Sequence, residues 1–394
     1  MRGICLLFIV VICVNSELVH HELMNLILSR PTKESFKLWH FHNQRPYDIN
    51  SEVGQQKYKI YKDNVNYINY KNSEVEGYKL GLGPFTDLSF EEFSKIHLNE
   101  VDPSTIKFDS KVQNEKEIQK SFSFDDLAED DDDDDDDDKP FVKRTLVEQN
   151  QDRDKWGRKI IRSKDHRNSL FPTKNQGGCG SCWAFGTIGA IEAHLSIRYG
   201  ITSGYNLSEQ QLVDCDYSNY GCQGGWYNSA FDHLIRKGIR NGKEYKYIAV
   251  RRTCQESLYK PIVTISGYKF CSAYHHNKCT YKKQKDYIDV APIAVAVHAG
   301  RSFIHYQQGQ WYPDKCRRVN HAVVAVYLEY YEDEKKKSDN CDKRPESKWR
   351  IRNSWGADWG ENGQADLIAY PDTNMVACGL GDHGFLAENV TLVQ

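Results

Sequence analysis

The sequence predicts an α+β protein of two unlike lobes, one helical and one strand-rich, set behind a separate helical N-terminal region. Two observations carry that reading. Apolar and polar residues recur at helical spacing between 34 and 72, far from any cysteine. After residue 158 the chain turns globular, first with helical periods and then with β-branched runs, which implies two packed layers of different kind.

The elements follow in order. Arg2, the apolar stretch Ile4 to Val14 and the small residues Val14-Asn15-Ser16 read as a secretory signal over 1–16. That stretch is too short to span a bilayer, and no later run reaches the roughly 18 apolar residues that a spanning helix needs. Residues 34 to 72 read as helical, with Pro46 and Gly54 as the breakers. Lys57, Ile60, Tyr61, Asn64, Ile68 and Asn72 lie along one helical face. A turn-rich stretch, Gly81 to Asp87, leads to Ser89 and Glu92, the capping box of a further short helix.

Residues 101–157 have no apolar period and include nine consecutive Asp, Asp130 to Asp138, so they read as a solvated linker and activation region. A contact of this acidic segment with the basic remainder, or with cations, is the alternative. Lys143-Arg144 is a candidate processing site, and cleavage is expected between Lys143 and Ile161. Helices are expected over Ser181 to Tyr199, from Ser208 (another capping box) and over Trp226 to Lys237. Beyond Ile262 the signals are β-like: 261–265, 293–297 and 322–326.

Composition bounds the function. The 394 residues carry 52 bases against 55 acids, but Asp125, Asp126, Glu129 and the Asp run leave 43 acids for the rest of the chain. The bases are dispersed with no aromatic-interleaved stripe, which argues against nucleic-acid binding. Ten of the twelve cysteines crowd into the region after residue 178, as in a secreted, disulfide-stapled domain. The sequons Asn206-Leu207-Ser208 and Asn389-Val390-Thr391 fall on the same domain. A zinc reading of Cys215 and Cys222 fails for want of a second close pair, so no metal and no cofactor are expected.

The chemistry gathers at Gln176-Gly177-Gly178-Cys179-Gly180-Ser181-Cys182-Trp183-Ala184-Phe185. Cys182 opens a helix after a glycine-rich turn, where free backbone N–H groups favour a thiolate. A nucleophilic thiol needs a base, and the base an orienting partner. His321 introduces an apolar strand 139 residues downstream, and Asn353-Ser354-Trp355-Gly356 follows.

On these motifs the chain resembles the papain family, cathepsin L-like branch. The resemblance implies a helical left lobe and a β-barrel-like right lobe over 158–394, behind an α-helical inhibitory prodomain over 17–100. It implies a cysteine endopeptidase made as a zymogen, acting through a Cys-His thiolate–imidazolium pair and a thioester acyl-enzyme. Cys182 is then the nucleophile, His321 its proton carrier, Asn353 the residue that holds the imidazole, and Gln176 an oxyanion donor. Trp355 and Trp359 match the tryptophans that shield this pair.

By the same resemblance Cys179 pairs with Cys222, Cys215 with Cys254, and Cys316 with Cys378. Cys271 with Cys279 is a further pairing, which leaves Cys341 over. Lys57, Ile60, Tyr61, Asn64, Ile68 and Asn72 match the long-helix prodomain motif, and Gly81, Phe85 and Asp87 the shorter one, with Gly83 at a usual Asn. Such a prodomain lies backwards through the cleft and falls away as acid weakens its contacts. No insertion resembles the loops that make exopeptidases, so endopeptidase action is implied.

Trp226, Tyr227, Ala296, Val319 and Ala322, with His383 near the floor, align with the S2 subsite. The two aromatics at its mouth imply a restricted pocket for aliphatic or aromatic P2 side chains, and His383 a pH-dependent preference. Residues 245–249 and 265–268 are similar to the mite group 1 proteases. Four departures stand out: Tyr327-Leu328-Glu329 for a usual Gly-Tyr-Gly, a long charged stretch from Glu329 to Lys348, Gly186 for Ser, and His166 for Trp. The alternative function is an inactive papain-fold binding or decoy protein. Expected partners are protein and peptide substrates, the chain's own prodomain and cystatin-like inhibitors, with no nucleic acid and no membrane. The protein is expected as a monomer in the secretory pathway, lysosomal or extracellular.

Overall fold

The computed structural model of the protein describes residues 31–99, 153–201, 203–313, 316–332, 344–370 and 376–393. The signal at 1–16, the Asp run, Lys143-Arg144 and Cys341 lie outside the described residues. Among the described residues no helix is long and apolar enough to cross a membrane.

The N-terminal region forms α1 (Lys33–His42), α2 (Glu52–Glu74), a strand β1 (Tyr78–Leu80) and α3 (Phe90–His97). The helical stretch expected from 34 to 72 is therefore two helices. Pro46, which lacks an N–H and disfavours helical geometry in the residue before it, falls between them. Ser51 then caps α2 by accepting from Gly54 N at 3.1 Å. Gly54 does not break the helix. A Cβ there would lie 2.4 Å from the Asp48 carbonyl oxygen, so glycine is what lets the loop close onto α2.

The spaced polar residues of α2 staple it to the turn that follows. Asn64 Nδ2 donates to the carbonyls of Thr86 and Leu88, and Asn72 pairs with the Leu80 backbone in both directions. Asp87 accepts from Arg45 at 2.7 Å and from the Tyr47 hydroxyl at 2.8 Å.

The second unit begins before residue 158. The Asp154 carboxylate accepts from the backbones of Trp156 and Arg158 and ion-pairs the Arg158 side chain, so 153–157, read above as linker, already fold as a tight hairpin. That hairpin leads into β2 (Lys159–Arg162). The helical lobe holds α4 (Cys182–Tyr199), α5 (Glu209–Cys215) and α6 (Tyr227–Lys237). Next come β3 (Ile239–Arg240), β4 (Pro261–Thr264), β5 (Gly267–Ser272), α7 (Tyr281–Val290), β6 (Ile293–Val297), α8 (Arg301–Ile304) and β7 (Tyr306–Trp311). The chain finishes with β8 (His321–Glu332), β9 (Ser347–Arg352), β10 (Gln364–Ala369), β11 (His383–Glu388) and β12 (Thr391–Leu392).

Helix α7 interrupts a region expected to be all strand. Its run of lysines masks a four-residue step of buried Gln284 and Ile288, and Thr280 caps it. The charged stretch after Glu329 begins as strand, since β8 runs on to Glu332 and pairs with β2.

One nine-stranded sheet runs β1-β7-β10-β9-β8-β6-β11-β5 with β2 also on β8, and a small sheet runs β12-β4-β3. The N-terminal region thus adds β1 to the large sheet, antiparallel to β7. Two cores form. In one, Phe36, Trp39, Tyr61 and Ile68 pack in the same cluster as Phe303, Trp311, Trp355 and Trp359. In the other, α4 and α6 lie on the opposite sheet face with Ile188, Phe231, Val324 and Phe385. Disulfides Cys179–Cys222 and Cys215–Cys254 tie the helical lobe, and Cys271–Cys279 and Cys316–Cys378 the strand-rich one. The seam between the lobes brings the start of α4 to the start of β8.

Candidate active site

Cys182 is the first residue of α4, behind Ser181, and it is fully buried and free. Burial pushes its thiol up to about 12, while backbone hydrogen bonds from Ala322 and Trp183 act the other way. Ala322 follows His321, so the sulfur lies beside the start of β8. The His321 ring meets Asn353 Oδ1 through Nε2 at 2.7 Å. Because that oxygen accepts, Nε2 carries the proton and Nδ1 keeps its lone pair. Nδ1 is buried with no hydrogen-bond partner among the described residues. Burial holds the imidazole down to about 4, against the raising effect of the Asn353 bond. Trp355 covers the ring, centroids 4.5 Å apart.

Gln176 joins the same group. The Ser354 hydroxyl donates to its Oε1 at 2.7 Å, and its Nε2 donates to the Cys179 carbonyl at 2.8 Å. The same Nε2 donates to the carbonyl of His97, the last residue of α3, at 2.9 Å. Two residues on, the Asn99 side-chain amide donates to the Gly225 carbonyl at 2.6 Å and accepts from the Gly225 N–H at 3.2 Å. That is the bond pair one peptide unit would make, supplied by a side chain. The Asn99 N–H donates to the Asn320 carbonyl at 2.7 Å. The His97 ring sits between Phe85 and Phe93, which themselves pack on Trp355. The N-terminal region therefore seals the seam above Cys182 and His321.

The residues aligned with S2 also come together. Trp226, Tyr227, Ala296, Val319 and Ala322 share one buried cluster, and His383 packs edge-on to Trp226 at 4.9 Å. Tyr227 is not at the mouth. It is fully buried, its ring lies over Gly186, and its hydroxyl donates to the Val295 carbonyl at 2.5 Å. A Cβ at position 186 would stand 2.9 Å from that ring, so glycine in place of serine is what admits the tyrosine. The Tyr327-Leu328-Glu329 departure lies at a β-bulge, where Glu329 takes the hydroxyls of Tyr327 and Tyr331 and the Arg162 guanidinium, clear of Cys182. His166 is a buried structural residue, its Nε2 bonded to the Ile288 carbonyl at 2.6 Å.

Of the two sequons, Asn389 is exposed in a left-handed turn between β11 and β12. In the other, Leu207 and Ser208 are buried and Ser208 donates to the Tyr245 carbonyl. His97 and Asn99 were absent from the sequence-derived set. The capping box at Ser89 marks where α3 begins, but no local signal tells that the residues after it enter the cleft.

Comparison with known proteins agrees with this geometry. Residues 160–385 match the family described as papain family cysteine protease, and residues 36–93 match the cathepsin propeptide inhibitor domain. The chain is 31% identical to Cathepsin L 1 of Paramecium tetraurelia over 85% of its own length and 88% of that protein. It is 31% identical to ananain of Ananas comosus over 89% of its length and 86% of that protein. Among solved structures, a recombinant stem bromelain precursor aligns with a TM-score of 0.64 at 26% identity, covering 91% of this chain and 99% of that one. Digestive procathepsin L 3 of Tenebrio molitor aligns with a TM-score of 0.62 at 26% identity, covering 90% and 98%. A propeptide that seals a buried free cysteine beside a histidine–asparagine pair, on this fold, places the chain in the papain family of cysteine proteases, as a cathepsin L-like endopeptidase zymogen.

Proposed function

We propose that Cys182, His321, Asn353 and Gln176 carry the peptidase chemistry. With the prosegment gone, water reaches the seam and the thiol passes its proton to His321 Nδ1. The thiolate attacks the scissile carbonyl, and the oxyanion takes hydrogen bonds from Gln176 Nε2 and the Cys182 N–H. His321 then protonates the leaving amine, and water hydrolyses the thioester with the imidazole as base. Asn353 keeps the ring in the tautomer that leaves Nδ1 facing the reaction.

The observation that carries this reading is the His97 carbonyl 2.9 Å from Gln176 Nε2, a peptide carbonyl held by the donor assigned to the oxyanion. The inactive binding-protein alternative leaves the convergence of all four groups without a purpose.

The same reading takes 17–100 as the inhibitory prosegment, 101–152 as the linker in which activation cleavage falls, and 153–394 as the mature monomeric enzyme. Four disulfides support passage through the secretory pathway to a lysosome or the outside of the cell. Cystatin-like inhibitors are expected to compete for the emptied cleft, and Asn389 is the expected glycan carrier.

The test is acid activation of the precursor under reducing conditions, wild type beside Cys182→Ala. Wild type should shorten to about the size of 153–394 and gain hydrolysis that an epoxide thiol-protease inhibitor blocks, while the mutant does neither. A trimmed wild type that cleaves no peptide and leaves Cys182 unlabelled would sink the reading.

A further inference from the structure

Resting on the protease reading, we infer that the pocket beside Gly225 selects P2 side chains that carry a hydrogen-bond-accepting oxygen, with His383 and Trp226 as the specificity-determining residues.

The pocket is built on one row of the sheet. Ala296 on β6 pairs with Ala322 on β8, and Phe385 on β11 pairs with Ala294 on β6. Extending that antiparallel register by two residues sets His383 beside Ala296. His383, Ala296 and Ala322 then lie in line on one face, since alternate strand residues share a face. The row ends next to His321. Two of the three side chains in that row are single methyl groups. Trp226, directly after the Gly225 that Asn99 engages, leans over the row with its ring against His383. Tyr227, held to Val295 across Gly186, fills the lobe seam and keeps the space short.

The lining is not as apolar as its neighbours suggest. His383 is only 1% exposed and Trp226 only 4%. Among the described residues, both ring nitrogens of His383 and the indole nitrogen of Trp226 have no hydrogen-bond partner. The bond that Gln284 makes at His383 goes to the main-chain carbonyl and leaves the ring unpaired. Tyr274 packs on the imidazole with ring centroids 5.5 Å apart. Among the described residues no charged side chain pairs with the ring, and burial pushes it down to about 3, so it stays neutral, with one donor and one acceptor.

Buried polar groups are almost always paired, and three unpaired nitrogens on two touching rings mark a place where a partner is missing. Two of the three offer N–H donors, one from each ring. An oxygen with two lone pairs, as in a hydroxyl, amide or carboxylate, can accept from both. A purely hydrocarbon P2 side chain would leave both donors dry, and sites built to bond an oxygen discriminate against the analogue without it. This preference differs from the aliphatic or aromatic one that the resemblance implied, and the two make opposite predictions for P2-Thr against P2-Val.

Threonine against valine at P2 is the sharpest probe, because the two are close in shape. On activated enzyme, kcat/KM for a P2-Thr peptide should exceed that for its P2-Val twin by about tenfold, the usual worth of a net hydrogen bond or two. His383→Leu should bring the ratio to one or below, His383→Asn should restore part of it, and Trp226→Phe should lower it in part. Thermal unfolding of each variant identifies any that fail to fold, and the wild-type ratio stands apart from all of them. Brisk hydrolysis with valine equal or better overturns this inference and leaves the protease reading intact. A wild-type preference that His383→Leu and Trp226→Phe both leave unchanged assigns the selection elsewhere and overturns it too. Failure to cleave any peptide would take the protease reading down, and this inference with it.

Discussion

The prosegment grips the catalytic domain twice, and the two grips differ in kind. The distal one is a broad apolar anchor. Phe36, Trp39, Tyr61 and Ile68 share a core with the tryptophans of the strand-rich lobe, β1 joins its sheet, and Arg301 lies 4.2 Å over Tyr67. The proximal grip is narrow and polar: the His97 carbonyl on Gln176 and the Asn99 amide on Gly225. The anchor resists acid because most of it has nothing to titrate. The plug has His97, whose ring is buried among Phe85, Phe93 and the Gly177 backbone. The catalytic side of the anchor also holds His305, whose ring burial keeps down to about 3, so the anchor gains acid sensitivity only in so far as undocking exposes that ring. A zymogen built this way can open at the chemistry first and let go of the domain later.

The largest effect that sharpens this contrast is at the thiol itself. With the plug in place burial keeps Cys182 protonated, and without it the helix start and His321 favour the thiolate. Iodoacetamide labelling of Cys182 at pH 7, followed by mass spectrometry, should therefore speed up by roughly 10³ or more when the prosegment leaves. Equal rates in precursor and mature enzyme would mean that the plug does not cover the sulfur.

Next comes the anchor. Trp39 is fully buried, and its indole N–H donates to the Gly83 carbonyl at 3.2 Å. Trp39→Ala should cost about 3–5 kcal/mol of prosegment folding and docking. The loss should appear equally at pH 7 and pH 5, read as premature thiol labelling of the precursor at both. A loss confined to acid would erase the distinction between the grips.

The third effect is smaller and depends on pH. Burial holds His97 down to about 4, assisted by Arg45 and opposed by its bond to the Gly177 backbone. A group with a lowered pKa in the docked state binds fewer protons there, so docking is strongest above about 6.5. It weakens by up to tenfold per unit as pH falls from there to about 4, and then levels. His97→Leu removes that term. Its activation midpoint should move to lower pH by about half a unit or more, with little change at neutral pH, in a pH series of precursor processing. An unmoved midpoint would assign acid sensing elsewhere.

How far the sequence could be read depended on whether the signal was local. Cys182 with its flanking glycines, His321 before an apolar strand and Asn353 before Ser-Trp-Gly each sit in a short stretch whose chemistry is visible at once. The structure brings those stretches to one seam. The prosegment face from Lys57 to Asn72 was legible for the same reason, because helical spacing lines the residues up. What escaped was set by distant parts of the chain. The break at Pro46 was signalled, but Gly54 read as a second breaker until the close pass of the Asp48 carbonyl explained it. The resemblance puts Tyr227 at the pocket mouth, and only the gap left by Gly186 shows it turned inward. Asn99 imitates a peptide unit with its side chain, and nothing about an asparagine in sequence announces that. Helix α7 hid behind its lysines.

One feature of the sheet acquires a different meaning once activation is over. In the precursor β7 is an inner strand, with β1 on one side and β10 on the other. Removing the prosegment strips β1 away and turns β7 into an edge with open N–H and C=O groups. Bare edges invite other chains to add to them, and proteins blunt them with short strands, polar side chains and irregular backbone. β7 carries such devices: six residues, with Gln307, Gln308 and Gln310 around Gly309, whose φ of 88° departs from strand geometry. The mature enzyme thus inherits an edge already built to stay solitary, in a strand shaped as much for the partner it will lose as for the one it keeps.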